Sequence, residues 1–138
     1  MYQSYNLSHH DAALAVGAVQ QELERQNKGA AVAVVDAHGE LLAFLRTDGC
    51  PLASINIAIN KAFTASRERK ESAHLGQSAR EGNFPLLYYG EVRYVGWGGG
   101  VPIIYEGQVV GGIGVSGLSE EEDVVLARLG LKAILGQG

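Results

Sequence analysis

Val101-Pro-Ile-Ile-Tyr105-Glu-Gly-Gln-Val-Val110-Gly-Gly-Ile-Gly-Val115 contains two apolar, β-type segments separated by Glu106-Gly107. A short turn with glycine between runs rich in Val and Ile is the pattern of a β-hairpin. Upstream, Val92 to Trp97 reads as a weaker strand. Downstream, Ser119 followed by Glu122 forms a capping-box pattern, and Val124, Val125, Ala127, Leu129, Leu131, Ile134 and Leu135 fill a terminal helix. The first half repeats the theme. Ala30 to Val35 and Glu40 to Arg46 are joined by Asp36-Ala-His-Gly39, a second hairpin. Before it, Ser8 and Asp11 open a helix in which Ala12, Val16, Val19 and Leu23 recur at helical spacing until Asn27-Lys28-Gly29. After it, Pro51 starts a helix ending near Lys70, with Leu52, Ile55, Ile59, Ala62, Phe63 and Ser66 on one face, and Ser72 to Arg80 suits a shorter one. Each β pair is joined by a tight turn, so neighbouring strands are antiparallel. The expected fold class is α+β, with an antiparallel sheet of about five strands covered by helices on both faces.

At 138 residues one domain, 1–138, is expected. With 46% hydrophobic and 19% charged residues the chain can build a core, which excludes intrinsic disorder. A net charge of −4, with the one basic run, Arg67 to Lys70, broken by Glu68, argues against nucleic acid and anionic membranes as partners. One cysteine permits no internal disulfide. No basic leader or membrane-length apolar stretch is visible, so a cytoplasmic location is expected. Glycine is in excess, 19 residues, crowded between Gly96 and Gly117.

Gly112-Ile-Gly114-Val-Ser-Gly117 matches G-x-G-x-x-G between a strand and a helix. No second parallel strand follows, and Glu120 to Asp123 occupy the helix N-terminus that a pyrophosphate would need, so close backbone packing is the better account of these glycines. Ser116 lacks the G-x-S-x-G elbow of a serine hydrolase. His9, His10, His38 and His74 show no zinc-ligand spacing, and no metal site is expected. Adjacent His9 and His10 diverge by ~100° on a helix, so one of them can face a given pocket. Cys50-Pro51 places a thiol at a helix start, where the dipole favours thiolate, and such pairs also occur as haem contacts; the alternative is a buried inert residue. Lys61 interrupts an apolar helix face: it either snorkels to water or pairs across a pocket, with Asp48 or a bound anion.

Several segments together resemble one family. Val34-Val-Asp36-Ala-His-Gly39-Glu-Leu-Leu, Arg46-Thr-Asp48-Gly49, Ser54 with Ala58, Lys61-Ala62-Phe-Thr64-Ala65, Gly98-Gly-Gly-Val-Pro102-Ile, and Val110-Gly-Gly-Ile-Gly-Val-Ser116-Gly117 with Glu122-Asp123 are similar, in that order, to the GlcG/HbpS family. That family includes proteins of glycolate and diol-utilisation operons, the C-terminal domain of PduO-type cobalamin adenosyltransferases, and a haem-binding, haem-degrading redox sensor. The resemblance covers Asp11 to Leu129. It implies profilin-like α-β-α layers, homo-oligomers from dimer to octamer, and a tetrapyrrole, haem ahead of a corrinoid. By the resemblance, His10 or His9 is the candidate axial ligand. The haem sensor uses a threonine near the Gly-Gly-Pro segment, where this chain has Tyr94 and Trp97 instead.

An iron porphyrin needs an apolar slot, axial donors and cations for its propionates. Tyr88, Tyr89, Tyr94, Trp97 and Tyr105 can supply walls, and Arg46, Lys61, Arg80 or Arg93 can meet carboxylates. The aromatic cluster equally suits an oligomer interface. Three functions follow as expectations. The first is a haem- or tetrapyrrole-binding accessory or redox-sensing protein of a catabolic operon, with slow haem degradation. The second is a metabolite-binding protein or enzyme holding an organic acid or diol at Lys61, Arg46 and Asp48. The third is a ligand-free structural oligomer subunit.

Overall fold

Glu106 and Gly107 both adopt left-handed backbone, φ 50° and 73°, which suits the twist of a two-residue hairpin turn. They join β3 (Gly100–Tyr105) to β4 (Gln108–Ser116) in a computed structural model describing residues 1–136. Gln137 and Gly138, the end of the domain expected over 1–138, lie outside the described residues. The other hairpin pairs β1 (Ala31–Asp36) with β2 (Leu41–Arg46) around Gly39. β1 and β4 pair antiparallel, giving one sheet in the order β2-β1-β4-β3. Both hairpin turns emerge at the same end of this sheet, because Asp36 at the close of β1 faces Gly111 near the start of β4.

The sheet has four strands among the described residues, not about five. Val92 to Trp97 forms no strand. Its backbone and side chains find other partners: the Val95 N–H donates to Thr64 Oγ1 at 2.9 Å, the Tyr94 hydroxyl donates to Glu68 at 2.6 Å, and Arg93 is held by Glu91. A 3-10 turn over Leu86–Tyr89 precedes it.

Helix α1 (His9–Gln26) starts with the Ser8/Asp11 capping box, and α4 (Glu120–Leu135) with the Ser119/Glu122 box, as their sequences predict. These two helices pack together on one face of the sheet. Val19 and Leu23 of α1 and Leu126 of α4 share a core there with Val32, Val34, Ile113 and Val115. On the opposite face, α2 (Ser54–Glu68) and α3 (Ser72–Glu81) complete the layers. Alternate strand residues point to each side. Those facing α2 along its middle are small: Ala31 and Ala33 of β1, with Val35 beyond them, and Gly112 and Gly114 of β4.

That smallness shifts the buried face in the first turns of α2. Leu52 precedes the helix and is exposed, while Ile55 and Ile59 are half-buried; Ala62, Phe63 and Ser66 are buried as expected, and Ser54, Ala58, Lys61, Thr64 and Ala65 are buried with them. At Gly114 a Cβ would stand 2.1 Å from the Ala58 carbonyl oxygen. Helix backbone therefore lies almost directly on strand backbone, an approach that a large side chain on either element prevents.

Candidate functional site

Lys61 projects from this close-packed helix at the end of the sheet remote from the hairpin turns, beside the last residues of β4. Its side chain is buried, 2% exposed. The ammonium Nζ donates to the Val115 carbonyl at 2.9 Å and to Asp123 Oδ2 at 3.1 Å. Room for it comes from Gly99, at φ +123°, where a Cβ would fall 2.9 Å from Nζ and 2.5 Å from the Val115 oxygen.

Asp123 stands on the inward face of α4 with Leu126, Ala127 and Gly130. Its Oδ1 accepts from the Leu118 N–H at 3.1 Å. Burial pushes the carboxyl above its ordinary pKa, while the neighbouring Lys61 ammonium and the N–H groups of Leu118 and Gly117 pull the other way. A well-packed apolar pair of similar volume is commonly as stable as a buried ion pair. Stability alone therefore gives no reason for charge here.

Next to the pair, Ser116 Oγ donates to Ser54 Oγ at 3.1 Å, and both serines are buried. These four side chains line one cavity of about 370 Å³, walled by Ile57 and Leu118. Trp97 and Glu120, both exposed, stand at its mouth. Trp97 is positioned from α3: Ser72 Oγ donates to the Trp97 carbonyl at 2.7 Å and accepts from the Gly100 N–H at 2.9 Å.

Among the residues singled out from sequence, Lys61, Trp97 and Ser116 meet in this cavity. Arg46 and Asp48 lie at the same end of the sheet but line a separate cleft on the α1 side, with Gln20, Lys28 and Thr47. The expected Lys61/Arg46/Asp48 cluster is thus divided between the two faces, and the carboxylate that pairs with Lys61 is Asp123. Cys50 also departs from expectation. The helix begins at Ser54 rather than Pro51, so its dipole does not reach the thiol in the expected way. Burial pushes the Cys50 thiol pKa up, Arg46 pulls it down and Asp123 pushes it up, which disfavours thiolate.

Tyr94 lies under α2 against Phe63 and Tyr89, with ring centroids 5.9 and 5.2 Å away. Burial, then its bond to Glu68, pushes its phenol above the ordinary value. His9 and His10 are on the first turn of α1, at the other end of the molecule. Both are exposed and their rings stack at 4.6 Å. The adjoining Tyr5 N–H donates to the Gln108 side chain, and its ring meets Tyr105 edge-on at 4.9 Å. A cavity of about 380 Å³ opens beside them, lined by Tyr5, Leu7, Asp11, Ile103, Tyr105 and Ile134 among others. No group of three or more His, Cys, Asp or Glu able to hold a metal ion occurs among the described residues.

Asp123, Ser54 and Glu120 are the cavity residues to which sequence reasoning gave no site role, although Ser54 and Asp123 stand in the family-like segments. Asp123 hides in a run of four acids that reads as a cap. The usable signal is helical spacing, which puts Asp123 alone of the four in line with the apolar stripe.

Residues 7–132 match the family model described as "Haem degrading protein HbpS-like". The chain belongs to the HbpS-like family. This HbpS-like chain is 34% identical over 115 residues to Protein GlcG of Escherichia coli K12, an alignment covering 80% of the chain and 81% of GlcG. The crystal structure of a double mutant of Streptomyces reticuli HbpS superposes with TM-score 0.88 and 32% identity, over 99% of this chain and 91% of that one. The crystal structure of a PduOC:Heme complex superposes with TM-score 0.87 and 29% identity, over 94% and 96% of the two chains. The fold and the family assignment therefore agree along nearly the whole described length. No helix among the described residues is long and apolar enough to cross a membrane.

Proposed function

We propose that this HbpS-like chain is a haem- or tetrapyrrole-binding accessory protein, with the His9–His10 pair as its iron-facing end. The observation that carries the reading is the exposed, stacked imidazole pair on the helix turn whose Asp11 lines a cavity that also holds Tyr5 and Tyr105. A relative solved as a PduOC:Heme complex supports it.

The donor set has the chemistry that haem requires. Imidazole nitrogen is a standard axial donor to haem iron, and neither ring is engaged in a hydrogen bond within the described residues. Tyr5 and Tyr105 offer aromatic faces, with Leu7, Ile103 and Ile134 as an apolar bed. The cations expected for the propionates are not beside them. Lys61 is held by Asp123, and Arg46 lies in the cleft at the far end. Propionates at the α1 end would therefore face water, which suits carboxylates.

When bound, haem would supply iron redox chemistry, of which the haem degradation named in the family description is one outcome. The chain's part would be to donate an imidazole lone pair from His9 or His10 and to offer aromatic and apolar groups to the ring. Corrinoid binding would draw on the same imidazoles.

Hemin titration of the apo-protein, followed in the Soret band, tests this. A saturable shift at micromolar protein is expected, weakened by at least about tenfold, or about 1.4 kcal/mol, in His9→Ala/His10→Ala. An unchanged titration in that variant overturns the ligand assignment; no saturable shift in the parent overturns haem binding.

A further inference from the structure

The cavity at Lys61 is separate from the histidines and has its own chemistry. We propose that it is a binding site for a small neutral polyol, a compound carrying adjacent hydroxyl groups, in preference to an organic anion.

Charge balance is the first argument. The one cation lining the cavity, Lys61, is already neutralised by Asp123 at 3.1 Å, and Glu120 adds a second carboxylate at the mouth. A carboxylate ligand would have to compete with Asp123 for the ammonium and pass Glu120. A neutral ligand faces no such repulsion.

Hydrogen-bonding capacity is the second. An ammonium has three N–H donors. The chain accounts for two, at Val115 and Asp123. Ser54 Oγ accepts from Ser116, and its own proton has no acceptor among the hydrogen bonds of the described residues. Glu120 likewise has no donor to its carboxylate, and Asp123 keeps lone pairs beyond those given to Lys61 and Leu118. The cavity thus offers donors and acceptors side by side. A hydroxyl both donates and accepts, so two adjacent hydroxyls can bridge Lys61 or Ser54 to Asp123 or Glu120. A carboxylate only accepts and an ammonium only donates, so each leaves part of the site unpaired, the situation that makes polar sites discriminating.

Shape is the third. Ile57, Leu118 and the indole of Trp97 give the C–H face of a small polyol an apolar surface. The opening is at Trp97, which is 57% exposed, and at Glu120.

Trp97 is the only tryptophan in the chain, so its emission reports on this cavity directly. The experiment titrates the full-length protein with propane-1,2-diol and glycerol, and with lactate and glycolate at matched ionic strength, following Trp97 fluorescence. Saturable change with a neutral polyol is expected, at least about tenfold weaker in Ser54→Ala and in Ser116→Ala, since each removes a buried hydroxyl partner. Circular dichroism checks that these variants fold; should one fail, the other serves, as both are conservative truncations. A response that is linear or absent with both polyols overturns the site. So does a saturable response unaltered in every folded serine variant. Saturation by lactate or glycolate without saturation by a polyol overturns the ligand class.

Discussion

Gly114→Ala adds one methyl group at the place where α2 rests on β4. Its Cβ would stand 2.1 Å from the Ala58 carbonyl oxygen and 2.5 Å from the Ala62 nitrogen, where ordinary contact begins at 3.4 Å. Both obstacles are helix backbone, so no side-chain rotation relieves them and α2 must lift by roughly 1 Å or slide, the kind of shift that makes overpacking costly. Overpacking typically costs about 1–3 kcal/mol, and immovable backbone puts this site at the upper end. Removing a glycine from the unfolded chain returns only about 0.4–1 kcal/mol. The net expectation is a loss of about 2 kcal/mol. With a urea m-value of about 1–3 kcal/mol/M the unfolding midpoint should drop by about 1 M. Gly17→Ala is the matched control: it lies inside α1 with nothing within 4 Å of its Cβ. It should gain about 0.5–1 kcal/mol from helix propensity. If Gly114→Ala stays within about 0.5 kcal/mol of the parent, the size of an ordinary surface effect, the close-approach account of the glycine-rich strand is wrong.

Lys61→Met leaves Asp123 buried without its cation and should cost about 3–5 kcal/mol in chemical denaturation, most of it recovered by adding Asp123→Leu. Failure of the second substitution to recover stability would show that the lysine acts through packing rather than charge. Acid should weaken the fold partly through two half-buried, paired carboxylates. Arg25, hydrogen-bonded to Glu22, and Arg93, hydrogen-bonded to Glu91, each hold a carboxyl down at about 2 from 4.5. Because the folded values are depressed, the unfolded state takes up protons first. Their contribution is present above pH 4.5 and is lost as pH falls toward about 2. Glu22→Gln/Glu91→Gln should flatten that part of a melting-temperature profile, and an unchanged slope would refute the assignment.

The hairpins and both capping boxes are legible in the sequence because they depend on neighbours in the chain: a turn with glycine, or a serine three residues before an acid. Long-range placement is less so. Ile55 and Ile59 look like the buried face of α2 under the rule that large apolar residues go inside. The rule fails because Ala58, Ala62 and the β4 glycines allow a closer approach than isoleucine permits. Val92 to Trp97 has strand composition, yet Thr64 and Glu68, distant in sequence, take up its polar groups. Lys61 is visible as a charge on an apolar face, but its partner is one carboxylate of four on α4, and only packing against Leu126 and Ala127 selects it. Similarly, His9 and Arg46 can both be named as haem contacts from sequence, while only the fold separates them: Arg46 pairs with Ala31 near Ser116, and Tyr5, just before His9, reaches Gln108 and Tyr105 at the hairpin end.

The sheet insulates the α2 layer from the α4 layer across most of its area. At its edge two ion pairs pass around it: Lys61 with Asp123, and Arg128 of α4 with Glu71 at the start of α3. The buried one acts as a rivet through the laminate. Prising the layers apart there breaks the ammonium's bond to Val115 and frees the carboxylate that holds the Leu118 N–H, so the hinge between β4 and α4 loosens with it. Anything seated in the cavity clamps both sheets of helices at once, and its occupancy should be readable far away, as slower amide hydrogen exchange at Leu118 and along the first turns of α2 and α4.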